Sequence, residues 1–362
     1  MWSQNRTGVL LAAVVCRPAL AFPDHVLCAA DVQETAELFL GKDFPRLATV
    51  KQIIANAGVE KRYLVQPLEK TLAREGLKAT NDLFIQEFKR LGTAAAREAI
   101  ANAGLEPADI DLVITTSCTG FMIPSVCAHL IPELGMKRST KRMPITELGC
   151  AAGAVSFSRA REYIAAHPGA NVLVVAGEFC TLCFQPEDLS MQALIGAILF
   201  GDGVAACVVR DGPATGFSLE QNGSYLFEDS WDYMGFDVRD GGFHLVLDKG
   251  VPGAVERQIA PVMQGFLQGH GLGAADIDFW CLHPGGRKLM DKVRDSFELT
   301  EDDIVASREC LREVGNLSSA SILVVLKNLF ERHRPQAGAR GFFAAFGPGF
   351  SVEMGLGRWV EA

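Results

Sequence analysis

The sequence predicts an α/β protein made of two duplicated halves fused into one body, and three internal echoes predict it. Gly104-Leu105-Glu106-Pro107-Ala108-Asp109-Ile110-Asp111 precedes the strand-like Leu112-Val113-Ile114-Thr115-Thr116; it returns as Gly271-Leu272-Gly273-Ala274-Ala275-Asp276-Ile277-Asp278 before Phe279-Trp280-Cys281-Leu282-His283. Glu147-Leu148-Gly149-Cys150 returns as Glu313-Val314-Gly315-Asn316, each leading into small residues and an amphipathic helix. The strand 171–176 is answered by 341–345. One short match is chance, but three in the same order at similar separation read as a duplication. The division falls near residue 215, giving an N-terminal half over 1–215 and a C-terminal half over 216–362.

The elements follow in order. Residues 1–22 read as a first strand and its exit loop. The apolar run 9–16 follows Arg6, and Ala19-Leu20-Ala21 mimics a signal-cleavage site. The run is short, and its β-branched pair Val14-Val15 suits a strand better than a secretion signal. Helices are expected over 31–40 and 45–57, and a long one over 81–103 that stops at Gly104. Apolar residues lead to the Gly149-Cys150 step, and a helical pattern opens there through Phe157, Ala160, Arg161 and Ile164 to about residue 166. Leu199-Phe200-Gly201-Asp202-Gly203 turns into a strand that finishes the first half, 211–223 is a turn-rich connector, and 231–248 reads as a hairpin with its turn at Gly241-Gly242.

Composition narrows the function. Of 362 residues, 49% are hydrophobic, which fits a packed α/β core and excludes disorder. A net charge of −9 with no basic run argues against nucleic-acid binding, while leaving room for a local basic patch. Ten cysteines scattered through core-like contexts point to reduced thiols in the cytoplasm rather than to a disulfide framework. No stretch approaches the roughly 18 apolar residues of a membrane span.

The chemistry gathers at three residues. Cys150 falls at a helix N-terminus, where the dipole and free N–H groups favour the thiolate. The duplication sets Asn316 at the equivalent helix start, and places His283 at the end of the strand that matches 112–116. Strand ends and helix starts collect on one side of α/β sheets, so the three converge between the halves. A thiolate attacks a carbonyl, an imidazole shares its charge, and an amide donates to a developing oxyanion. Singly, each has an ordinary structural explanation, such as a buried core cysteine or a satisfied structural histidine. Cys118, at the end of the first repeat's strand, is a rival nucleophile. Cys180-Thr181-Leu182-Cys183 is a lone CxxC without two further ligands at suitable spacing, so no metal is expected. Lys51, Lys61, Arg62 and Lys70 form a loose basic group, either a solvated face or a phosphate-binding rim.

Taken together, Glu147-Leu148-Gly149-Cys150, Leu199-Phe200-Gly201-Asp202-Gly203, His283-Pro284-Gly285-Gly286, Gly315-Asn316-Leu317-Ser318-Ser319 and Phe346-Gly347-Pro348-Gly349 resemble the motif series of the type III polyketide synthases, the chalcone synthase-like enzymes. The resemblance covers nearly the whole chain. It implies the thiolase-like fold, two αβαβα halves in one five-layered body, and a homodimer. It implies that Cys150 holds the starter and growing chain, and that His283 and Asn316 promote malonyl-CoA decarboxylation and stabilise the enolate. His283 would also keep Cys150 ionised. Phe200 and Phe243 match gatekeeper residues, and Cys183, Cys118, Gly347, Pro348 and Ser318 fall at the cavity. CoA thioesters are the implied substrates with no tightly bound cofactor, and Lys51, Lys61 and Arg62 become candidates for the CoA rim.

Within that family the motifs divide. Ser117-Cys118-Thr119-Gly120-Phe121-Met122-Ile123-Pro124 and Glu178-Phe179-Cys180-Thr181-Leu182-Cys183 resemble tetrahydroxynaphthalene and phloroglucinol synthases. Met234-Gly235-Phe236-Asp237-Val238 and 315–323 are more similar to alkylpyrone and alkylresorcinol synthases, which take long acyl starters, and Phe236 stands where the naphthalene-forming group has tyrosine. Small residues Ala193, Gly196 and Ala197 would leave room for an acyl tail. The expectation is therefore a fatty-acyl starter extended with malonyl-CoA and cyclised to an alkylpyrone or alkylresorcinol, with malonyl priming as the alternative. A ketoacyl synthase III-like enzyme would lack the Phe-Gly-Pro-Gly loop and the gatekeeper motif. A papain-like protease shares the Cys–His–Asn order but not the duplication. A non-catalytic partner of the same fold is disfavoured because all three reactive residues are present.

Overall fold

The computed structural model describes residues 13–73 and 76–362. Residues 9–12, the start of the expected first strand, lie outside the described residues. The rest of that run forms Ala13–Val15, and the signal-like Ala19–Ala21 is a strand paired antiparallel to Val204–Ala206.

The strands run across one continuous sheet in the order Phe279–Leu282, Arg340–Gly347, Ser351–Val360, Gly216–Leu226, Ala13–Val15, Asp202–Asp211, Asn171–Phe179, Leu112–Ser117 and Lys141–Thr146. Outward from the centre the pattern repeats. Asn171–Phe179 pairs antiparallel with Asp202–Asp211 and parallel with Leu112–Ser117. Arg340–Gly347 likewise pairs antiparallel with Ser351–Val360 and parallel with Phe279–Leu282. Among the described residues the second half shows no counterpart of Lys141–Thr146, and helix Val305–Val314 occupies that place in the chain.

Why the echoes recur is visible in the hydrogen bonds. Gly104 and Gly271 each take positive φ (66° and 73°) just after a helix, the conformation that ends a helix at least cost for glycine. Asp109 accepts from the Glu106 N–H at 2.9 Å, and Asp276 from the Gly273 N–H at 2.8 Å. Asp111 accepts from the Asn171 N–H at 2.9 Å, and Asp278 from the Arg340 N–H at 2.7 Å. The Asp-Ile-Asp signature is thus a pair of carboxylates that lock the helix exit to two neighbouring strands in each half.

The helices complete five layers. Leu77–Asn102 buries Phe84, Phe88, Leu91, Ala95 and Ala99 on one stripe and packs with Val126–Leu134 outside the first half's strands. Ala260–Gly269 and Arg287–Ser296 cover the second half's strands. Ala152–Ala166 and Ser321–Glu331 lie between, sharing one core with strands of both halves. Their contact is close: a Cβ added at Gly153 would stand 2.2 Å from the Ser319 carbonyl oxygen and 2.7 Å from Ile322 Cγ2.

Gly153→Ala therefore forces two backbones apart and is expected to cost about 1–3 kcal/mol, read as a lower thermal midpoint. Gly265→Ala, in helix Ala260–Gly269 with open space around it, is the matched control. It should leave the midpoint unchanged or raise it, by about 0.5–1 kcal/mol. Equal midpoints for the two variants would contradict the close approach.

Candidate active site

The site is assembled from the carboxyl ends of parallel strands. Cys118 follows Leu112–Ser117, Cys180 follows Asn171–Phe179, His283 follows Phe279–Leu282 and Pro348 follows Arg340–Gly347. Cys150 follows Lys141–Thr146 through a tight turn in which Glu147 (φ 69°) and Gly149 (φ 47°) are left-handed. The 3-10 turn Gly149–Ala151 then runs into helix Ala152–Ala166 and places Cys150, buried, at its N-terminal end. The Phe-Gly-Pro-Gly loop seats this turn from behind. A Cβ at Gly347 would meet the Leu148 carbonyl oxygen at 2.6 Å, and one at Gly149 would meet Pro348 Cδ at 2.8 Å.

The equivalence drawn from sequence needs correcting. The second half repeats the Cys150 turn at Ser318–Ala320 leading into Ser321–Glu331, and Ser318 (φ 48°) matches the left-handed Gly149 (φ 47°). Ser319, not Asn316, is therefore the structural counterpart of Cys150, and Thr116 that of His283. The counterpart pair is hydrogen-bonded, Thr116 Oγ1 donating to Ser319 Oγ at 2.9 Å. Asn316 reaches the site by another route. It bridges Phe200, with its N–H donating to Leu199 O at 2.8 Å and its carbonyl accepting from the Gly201 N–H at 3.0 Å. Its Oδ1 accepts from the Ser318 N–H (2.8 Å) and the Ser321 hydroxyl (3.3 Å), which turns the amide NH₂ away from them. Asn316 and Ser318 stand near enough to the Cys150 thiol to lower its pKa.

Burial decides the charge state. It pushes the Cys150 thiol up to about 12; Ser318 and Asn316 pull it back, and the Glu178 charge pushes it further up. Burial also drives the His283 imidazole down to about 3. Both ring nitrogens of His283 are buried with no partner among the described residues, and the backbone N–H is tied to Ala344 O at 2.8 Å. An orphaned buried imidazole is costly and marks a place where a bound group is meant to fit.

A cavity of about 750 Å³ opens in front of Cys150. Phe200, Phe243, Cys183, Cys118, Pro348 and Ser318 all line it, as do the small residues Ala193, Gly196 and Ala197. Gly347 stays behind the nucleophile turn. Sequence reasoning missed Glu178, which is fully buried beside the thiols. Its carboxyl accepts from Thr119 Oγ1 (2.8 Å), Ser319 Oγ (2.5 Å), Ser117 Oγ (3.2 Å) and the Cys118 N–H (3.1 Å), and lies 3.7 Å from Cys118 Sγ. Burial raises its pKa, against the pull of those donors, and a carboxylate there disfavours the Cys118 thiolate. The same charge also raises Cys150, so both thiols are held protonated.

Of the expected basic rim, Arg62 needs correcting. Arg62 is buried, its guanidinium donating to the carbonyls of Ala197 and Phe200, so it does not stand at a tunnel mouth. Lys51 is paired with Glu37, and Lys61 lies over the Tyr63 ring at 5.3 Å. Arginine instead collects in a second groove of about 850 Å³, which shares Ile54 with the first cavity and carries Arg287, Arg294, Arg308 and Arg312 among Asp291, Asp295 and Glu301. Among the described residues no group of three or more His, Cys, Asp and Glu side chains is arranged to hold a metal, and no helix is long and apolar enough to cross a membrane.

Known proteins are similar to this chain over nearly its whole length. The N-terminal domain of chalcone and stilbene synthases matches residues 13–213, and the C-terminal domain matches 225–360. The chain is 42% identical to 1,3,6,8-tetrahydroxynaphthalene synthase of Streptomyces coelicolor, over 97% of this chain and 93% of that one. It is 40% identical to phloroglucinol synthase of Pseudomonas fluorescens, over 96% of this chain and 99% of that one. The crystal structure of the Streptomyces coelicolor enzyme superposes with a TM-score of 0.94, covering 97% of this chain and 100% of that one. With the duplicated fold, the buried cysteine turn and both family domains in place, the chain belongs to the chalcone and stilbene synthases and is a bacterial type III polyketide synthase of thiolase-like fold.

Proposed function

We propose that this enzyme primes with malonyl-CoA and extends it by iterative decarboxylative condensation to an aromatic product of the tetrahydroxynaphthalene or phloroglucinol class. The observation that carries this is likeness of 40–42% over nearly the whole chain to two enzymes named for those products. A fatty-acyl starter, the first expectation from sequence, becomes the second reading. It is favoured by the apolar run of the cavity under helix Ala29–Leu40, where Phe39, Leu40, Leu68 and Leu72 form its wall.

In this reading Cys150 attacks the thioester carbonyl and the CoA thiolate leaves with the proton. A second malonyl-CoA loses CO₂, and its enolate oxygen takes hydrogen bonds from Asn316 Nδ2 and His283. The enolate carbon attacks the Cys150 thioester, and the thiolate is expelled and ready to reload. The N-terminal half, 1–215, supplies the nucleophile and the C-terminal half, 216–362, supplies His283 and Asn316. The anionic head of CoA is assigned to the arginine groove, where Arg294, Arg308 and Arg312 are paired with acidic side chains and Arg287 stands exposed at the edge.

A homodimer fits the surface. Ile123 is 80% exposed, Trp231 84% and Leu226 66%, and the last two line the open side of the cavity, so a second copy would bury apolar surface and close the site. Ten unpaired cysteines suit a reducing compartment, the cytoplasm.

Purified protein given malonyl-CoA alone should release CoA and form an aromatic product identifiable by mass spectrometry. A pyrone or resorcinol series appearing only with acyl-CoA and tracking its chain length would instead establish the second reading, and no CoA release with any thioester would overturn the synthase assignment. Cys150→Gln should abolish acyl loading while retaining malonyl-CoA decarboxylation.

The upward shift of Cys150 gives a pH test. Its thiol, pushed up to about 12 by burial, is protonated across the neutral range. Alkylation by iodoacetamide needs the thiolate, so its rate at Cys150 should rise roughly tenfold per pH unit through that range. A rate that stays flat there would contradict the raised thiol and show that His283 takes its proton.

A further inference from the structure

Resting on the assignment of Asn316 and Phe200 above, we infer that Arg62 is a positioning residue that sets the gate Phe200 and the amide donor Asn316 together. Its guanidinium Nη1 donates to Ala197 O and, at 3.2 Å, to Phe200 O. Those carbonyls belong to the last turn of helix Met191–Leu199 and the residue after it. The end of a helix concentrates negative partial charge and unpaired carbonyls, so a buried cation there acts as a C-terminal cap.

What that helix end holds makes the cap functional. Phe200 follows it directly and lines the cavity. Leu199 O accepts from the Asn316 N–H, and the Gly201 N–H donates to Asn316 O, so the same three-residue segment fixes the backbone of the donor that reaches Cys150. The stem of Arg62 fills the remaining space. A Cβ at Gly201 would stand 3.1 Å from Arg62 Cβ, and one at Gly315 would stand 3.6 Å from it. Strand Lys61–Leu64, helix Met191–Leu199 and the Gly315-Asn316 step thus meet at one side chain.

The counter-charge is built in. Asp202 is fully buried two residues beyond Phe200; it accepts from the Val65 N–H (2.9 Å), the Thr181 N–H (2.9 Å) and the Thr181 hydroxyl (2.5 Å). Burial pulls Arg62 down to about 10, and Asp202 opposes that pull, so the guanidinium stays charged at neutral pH. Both carbonyls are served by one nitrogen, Nη1, so lysine keeps the charge but brings its ammonium to them on a shorter stem.

The test compares wild type, Arg62→Lys and Arg62→Gln for thermal midpoint, malonyl-CoA decarboxylation and the KM and kcat of condensation. Both variants should remain folded. In Arg62→Gln, kcat and decarboxylation should fall on the order of 10–100-fold, the effect of displacing a catalytic donor by a fraction of an ångström to an ångström. KM for malonyl-CoA should change far less, and Arg62→Lys should recover part of kcat. A folded Arg62→Gln with wild-type kcat overturns the inference. So does aggregation of both variants, because Arg62 would then hold the fold rather than the gate. Wild-type protein that does not decarboxylate malonyl-CoA overturns the synthase reading instead.

Discussion

Everything at this site depends on how closely the two halves approach at their paired turns. Gly149–Ala151 and Ser318–Ala320 are the same structure used twice, and the helices they start cross with no room for a single methyl group at Gly153. The Phe-Gly-Pro-Gly loop presses on the first turn with equally little clearance at Gly347. Close packing of this kind fixes a buried thiol to within a few tenths of an ångström, which loops at a surface do not do. The duplication supplies two equivalent corners: one carries Cys150 and His283, and at the other the matching Ser319 and Thr116 form a hydrogen bond.

The same burial sets the electrostatics. Water is excluded, so a thiolate alone or an imidazolium alone is unfavourable, and the shifts of Cys150 and His283 in opposite directions have one cause. For stability the signs differ. His283, lowered below its ordinary value, contributes stability that is lost as pH falls below the ordinary imidazole range towards about 3. Cys150, raised, contributes stability that is lost as pH rises above the ordinary thiol range towards about 12. Neutral pH lies between these windows. Glu178 adds a buried carboxyl on the Cys118 side, accepting from its N–H, and its charge pushes both the Cys118 and Cys150 thiols up.

How much of this the chain discloses depends on the range of each interaction. The Asp-Ile-Asp repeat was legible because its hydrogen bonds span a few residues and its carboxylates do the same task in both halves. The hairpin Met234–Arg239 with Gly242–Leu247 was legible from its glycine pair. The match of Cys150 with Asn316 misled because Gly149 and Gly315 both have positive φ, whereas the true partner of Gly149 is Ser318, a serine at a left-handed position that sequence gives no reason to expect. Arg62 reads as a surface charge because its partners, at Ala197, Phe200 and Asp202, are far away in sequence and two of them are backbone carbonyls. Starter choice was the least legible, since it depends on cavity walls contributed by Phe39, Leu68, Cys118 and Phe236 from four separate elements.

The measurement that tests this account most directly is peptide mass spectrometry of enzyme quenched during turnover with isotopically labelled malonyl-CoA. The account predicts the labelled acyl group on the peptide carrying Cys150, with its loss in Cys150→Gln. Label on Cys118 or on no cysteine would contradict it, because the paired-turn geometry would then not be what selects the nucleophile.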